Sequence, residues 1–224
     1  MSSHSPQSGL VYGDISWRTE SGMPVNCSHG TVALPNCARI IGLQVGANAV
    51  IVYLEKDNHN EMMVSTNDER MSKYVFISGK GMNGPNQRAM VKSAWEATGK
   101  KHPVLCIVDP NGSGYKMVEL LEEDEVTVEV VFKDETLKEY GVRESDKRAT
   151  TSKDSKMIDN MIASETSKII TKEMKHDTWG NLDQCLSLVN HSLGKVYLDV
   201  IDKWIEANKS KWYLKQKQME VEQE

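Results

Sequence analysis

Three apolar runs each end in residues that can do chemistry. AVIVYL runs into Glu55-Lys56-Asp57, KYVFIS into Gly79-Lys80-Gly81, and PVLCIV into Asp109-Pro110-Asn111-Gly112. Carboxylates delivered from two separate strand ends make the oxygen-rich setting that magnesium accepts while keeping several of its waters. The glycines of the second loop allow close backbone approach, and Lys80 would offset phosphate charge. Taken singly, these pieces are ordinary: EKD suits a solvated strand end, DPNG is turn chemistry, and GKG suits a flexible loop. Their order on strands of one sheet makes them a candidate site.

That sheet is predicted from the runs themselves. Residues 49–54, 73–78 and 103–108 are rich in β-branched and aromatic residues without polar alternation, the pattern of parallel strands covered on both faces. Between the last two, Ala89, Met90, Ala94 and Ala97 form a helical stripe that Pro85 can open, giving a βαβ unit. A parallel sheet brings all three polar ends to one carboxyl edge, where ligand sites in open α/β folds gather. The run EVTVEVVF (125–132) alternates and predicts an exposed or edge strand.

The rest of the chain divides by composition. Residues 1–9 read as a disordered lead, and 10–143 as a core with a lead-in of short strands and turns. Residues 144–156 read as a surface loop, 157–208 as helices packing on the core, and 209–224 as a charged tail. Leu182, Leu186, Val189, Leu193, Val196, Val200 and Trp204 mark the packed face of the last helical pattern.

Composition limits the function. With 27 Lys plus Arg against 32 Asp plus Glu, the net charge of −5 excludes a globally basic nucleic-acid trap, so DNA contact has to be local or shared. Cys27, Cys37, Cys106 and Cys185 form no CxxC pair and suit reduced intracellular thiols. No apolar stretch has signal-peptide or membrane-spanning length, so no membrane role is expected. The histidines His29, His59, His102, His176 and His191 lack metal-ligand spacing. Lysines between 203 and 217, interleaved with Trp204, Trp212 and Tyr213, read either as a solvated helix end or as a contact for phosphate or a partner. The acidic stretch ELLEEDE (119–125) would repel DNA and face solvent or a basic partner.

The runs AVIVYLEKD, KYVFISGKGMNGPNQR and PVLCIVDPNGSGYKM are preceded by GLVYGDISW, VNCSHG and ALPN. Together they resemble the Toprim domain of the family formed by the DNA-cleaving subunit of topoisomerase VI and the meiotic double-strand-break transesterases. The resemblance covers residues 10–117 and weakens beyond Trp179. It implies an α/β fold, a Toprim-like parallel sheet flanked by helices with an additional C-terminal helical segment. It further implies magnesium held by Glu55, Asp109 and Asn111, with Lys80, Arg88 and Lys195 near phosphate or DNA. Gly79, Gly81 and Gly114 then shape the loops, DNA and a partner protein are the expected ligands, a homodimer or heterodimer forms through this domain, and the location is nuclear.

Two departures from the family pattern qualify that expectation. Ungapped, Asp109 takes the family's first aspartate, Gly114 its glycine, and Asn111 stands in place of the second acid. A gapped correspondence makes Asp109 the second acid and puts Ile107 in place of the first; the ungapped one is preferred because it keeps PVLCIVD in register. Either way one acid is missing and metal should bind weakly or not at all. The family's tyrosine nucleophile also has no counterpart: Tyr12 lies in the lead-in, and Tyr53 and Tyr74 in strands. The expectation is therefore an accessory or non-catalytic protein of meiotic DNA double-strand-break formation and recombination. The alternative is the metal-binding half of a split type IIB topoisomerase-like enzyme, its tyrosine supplied by another chain or by an N-terminal part encoded upstream.

Overall fold

The structure is a computed structural model and describes residues 9–79, 84–163, 177–187 and 192–221. Its centre is a six-stranded sheet. Strands β1 (Leu10–Gly13), β4 (Val32–Ala33), β6 (Val50–Leu54), β7 (Tyr74–Ser78), β8 (Val104–Ile107) and β9 (Val128–Val130) lie in the order β4-β1-β7-β6-β8-β9. The strands β6 to β9 are mutually parallel, whereas β1 runs antiparallel to both β7 and β4. A smaller antiparallel sheet pairs β2 (Ile15–Thr19) with β3 (Pro24–Asn26) and β5 (Ile40–Val45).

All residues of β6, β7 and β8 are buried, and their side chains alternate between two apolar layers. Ile51, Tyr53, Val75, Ile77 and Cys106 face one layer, completed by α2 (Pro85–Ala97), α3 (Gly112–Glu123), α5 (Ser152–Ala163) and the small sheet. Val52, Leu54, Phe76, Leu105 and Ile107 face the other, under α1 (Asp57–Val64), α4 (Asp134–Glu139), α6 (Leu182–Ser187) and α7 (Leu193–Val221). Each large side chain so buried contributes about 1.5–3 kcal/mol over leaving it exposed. From β6 the chain moves one way to β7, then crosses back to β8 on the far side of β6. The carboxyl ends of β6 and β8 therefore flank the topological switch point, where open α/β sheets leave a crevice.

Expected and observed elements agree for the three strands, for α2 and for the edge position of β9, although β9 is only three residues long. The first of the helices expected over 157–208 begins earlier, at Ser152, and is described as far as Ala163. The last helical pattern, marked by Leu182 to Trp204, divides into α6 and α7, and α7 continues to Val221 through most of the expected charged tail. The expected 144–156 loop contains β10 (Arg148–Ala149), which pairs antiparallel with β11 (Asp177–Thr178) further along the chain, and the first residues of α5. All four cysteines are free thiols. Among the described residues no helix is long and apolar enough to cross a membrane.

Candidate functional site

At the switch point the backbone ladder continues one residue past each strand, since Glu55 N–H donates to Ile107 O at 3.0 Å and Gly79 N–H to Leu54 O at 2.9 Å. This fixes Glu55 beside the turn after β8. Its Oε2 accepts the Asp109 backbone N–H at 2.6 Å, so the two acids share one hydrogen-bonded corner, each only 6% exposed. The Asp109 carboxylate has its own partners. Lys56 Nζ lies 3.0 Å from Oδ1 and 2.8 Å from Oδ2, and the Leu182 N–H at the start of α6 donates to Oδ1 at 2.9 Å.

Asn111 is the N-cap of α3. Its Oδ1 accepts from Ser113 N–H at 3.0 Å and Gly114 N–H at 3.1 Å, which satisfies two of the orphan donors that open a helix. Its amide then donates to Gly180 O at 3.1 Å. Asp109 and Asn111 thus hold opposite ends of the Gly180–Leu182 segment, which bridges the carboxyl edge. Gly114 is required by space, because a Cβ there would stand 2.0 Å from the Asp109 carbonyl oxygen. Ile107, the residue at issue in the gapped correspondence, is fully buried in the layer under α6 and α7.

Next to this corner lies a second polar group that sequence reasoning misses. Asp183 Oδ1 meets His59 Nε2 at 2.9 Å and accepts the Tyr197 hydroxyl, while Asn58 Nδ2 donates to Oδ2 at 3.3 Å. His59 and Tyr197 are fully buried, their rings 5.1 Å apart. The EKD motif contains Lys56 without giving it a role, and spacing alone leaves His59 among the scattered histidines. The one available signal is their placement one and four residues after Glu55, at the N-cap and on the first turn of α1.

Burial pushes the Glu55 carboxyl up to about 7, the neighbouring Asp109 carboxylate adds to this, and the Asp109 N–H and Lys56 oppose it. A carboxyl poised near neutrality can exchange a proton at physiological pH. Asp183 behaves in the opposite sense. Burial alone would raise it, but the His59 hydrogen bond and charge, the Tyr197 hydroxyl and Lys56 hold it below the usual carboxylate range.

The remaining residues singled out in the sequence are dispersed. Arg88 donates through Nε to Asp124 Oδ2 at 2.7 Å, tying α2 to the end of α3. Lys195 is exposed near the start of α7, where its charge adds to the Arg70 hydrogen bonds that lower the Asp68 carboxyl. Gly79 continues the β7 ladder, and Lys80 and Gly81 lie outside the described residues. Tyr53 is buried against Met117, its hydroxyl 3.6 Å from the sulfur, and Tyr74 donates to Asp202.

Would magnesium fit the donors as they stand? Glu55 and Asp109 are hard oxygen ligands in one corner, but the Asn111 oxygen is already engaged by two N–H groups and an ammonium bridges both Asp109 oxygens. Among the described residues no three His, Cys, Asp or Glu side chains gather into a metal site. In this arrangement the donors do not fit a magnesium ion.

The six-stranded, mostly parallel sheet flanked by helices, with a further helix at the C-terminal end, is consistent with a Toprim-like fold. Over 117 residues the chain is 28% identical to the human protein named Meiotic recombination protein SPO11 and 27% identical to the mouse protein of the same name. The matched stretch is 51% of this chain and 29% of each relative. No protein-family model matches the chain.

Proposed function

We propose that the protein is an accessory, non-catalytic Toprim-type component of meiotic DNA double-strand-break formation and recombination. It works in the nucleus on DNA that a partner protein also holds. The similarity to the two mammalian recombination proteins supports the setting. The observation that carries the non-catalytic part is the Asp109 carboxylate, engaged by Lys56 and by the Leu182 N–H. An internal ammonium there supplies the positive charge that a metal would otherwise bring, and the Gly180–Leu182 bridge lies across the edge.

Pairing of two such domains, with a second copy or with a longer relative, gives the contact through which the chain would join the machinery. Immunoprecipitation from meiotic cells tests this reading: break-forming components should be recovered with the chain, and a precipitate free of them would count against it.

One observation favours the alternative of a metal-binding half-site. Glu55 and Asp109 share a corner at the switch point, and only a lysine side chain and one backbone N–H stand on the Asp109 carboxylate among the described residues. If a partner or DNA draws Lys56 away, two hard oxygen ligands become free for magnesium. DNA cleavage with a tyrosine-bearing partner, abolished by Asp109→Asn, would establish that version.

A further inference from the structure

At the opposite, amino-terminal edge of the sheet lies a cavity of about 370 Å³ between the starts of β8 and β9 and the middle of α7. This volume falls within the usual range for small-molecule sites. Two indoles line it, Trp95 from the end of α2 and Trp204 from α7, together with Lys100, Lys101 and Lys211. Among the described residues the one carboxylate in its lining, Glu129, lies 3.4 Å from Lys133.

The wall is held in place locally. Trp95 Nε1 donates to His102 O at 2.6 Å, which fixes that ring. After α2 the chain turns through two left-handed residues, Gly99 at φ 71 and Lys100 at φ 57. The turn carries Lys100 back over the Trp95 ring, with Nζ 5.1 Å from its centroid and 3.6 Å from a Glu96 oxygen. Lys101 donates to Ala47 O at 3.2 Å, and an ammonium has two further donors to offer an acceptor. Trp204 is half-buried, packs against the apolar layer under α7 and lines the cavity. In a chain of net charge −5, three ammonium groups beside two indoles are a local concentration of the groups that recognise a flat ring joined to phosphate.

We infer that this cavity binds a nucleotide unit, its base laid against Trp204 and its phosphate held by Lys101 and Lys211. The unit is either a free nucleotide or one residue of a single DNA strand. The inference is independent of the carboxyl edge and of any role in recombination.

Calorimetric titration of the whole chain with ATP, with a 5′-phosphorylated oligothymidylate and with pyrophosphate tests it. Saturable binding of ATP supports a free-nucleotide site, and binding of the oligonucleotide alone supports a DNA strand as the occupant. In both cases Lys211→Glu, an exposed position, should weaken binding at least tenfold, and Trp204→Ala should abolish it. Circular dichroism checks that the Trp204 variant folds; if it does not, Lys211→Glu carries the test. Failure of both nucleotides to bind, pyrophosphate binding as tightly as ATP, or a Lys211→Glu affinity equal to wild type would each overturn the inference.

Discussion

Lys56 Nζ lies within 3.0 Å of both Asp109 oxygens and the Asp109 N–H lies 2.6 Å from Glu55, so one corner holds two acids and a single ammonium. Glu55 holds a proton near neutrality. Its folded-state value, about 7, exceeds the ordinary 4.5, so the folded form binds more protons between those limits. The associated stability is present in full below the lower limit and is lost as pH rises through the upper one, by at most about 3 kcal/mol. Glu55→Gln keeps an oxygen to accept the Asp109 N–H and removes the titration. Urea unfolding across this range should show the wild type weakening with rising pH and Glu55→Gln flat, with the variant more stable at alkaline pH by about 1–3 kcal/mol. Parallel curves for the two proteins would exclude Glu55 as the titrating group. Asp183 gives the opposite slope: its lowered carboxyl contributes stability above the ordinary carboxylate range and loses it as pH falls.

Elements place these residues, and their legibility in the sequence differs by element. The three central strands can be read because continuous burial on both faces leaves no polar alternation, and β6, β7 and β8 are buried at every position. Glu55, Asp109 and Asn111 follow from those strands, since a parallel sheet has only one carboxyl edge. The short helices α1 and α4 cannot be read, because α1 is polar along most of its length and owes its place to packing on α7. Nor can Lys56 and Asp183 be assigned roles. Asp109 is 53 residues from Lys56 and His59 is 124 residues from Asp183, and nothing in local spacing reports such pairings. The early turn of α3 makes an element-scale test. Gly114→Ala drives a methyl group into the Asp109 carbonyl, which is backbone and cannot swing aside. The variant is expected to lose about 2–4 kcal/mol in thermal or chemical unfolding, and a loss under about 0.5 kcal/mol would show that the α3 turn relaxes freely.

For the molecule as a whole, charge and topology separate two ends of one sheet. Acids and the Gly180–Leu182 bridge occupy the carboxyl edge, while lysines and tryptophans gather at the amino edge. With a net charge of −5 and lysines gathered around the amino-edge cavity, the isolated chain should bind duplex DNA weakly and with a shallow salt dependence. Fluorescence anisotropy over a salt series measures this slope; a steep one, of the size given by roughly six or more phosphate contacts, would mean that a larger basic face exists.

In the proposed accessory role, Lys56 and the Leu182 N–H on Asp109 close the carboxyl edge to metal. Magnesium titration of the wild type and of Lys56→Ala, followed by the backbone amide resonances of Glu55 and Asp109, decides whether they do. The predicted result is no saturable shift in the wild type at millimolar magnesium, with any binding emerging only in Lys56→Ala. Saturable binding in the wild type, with both resonances moving together, would contradict it.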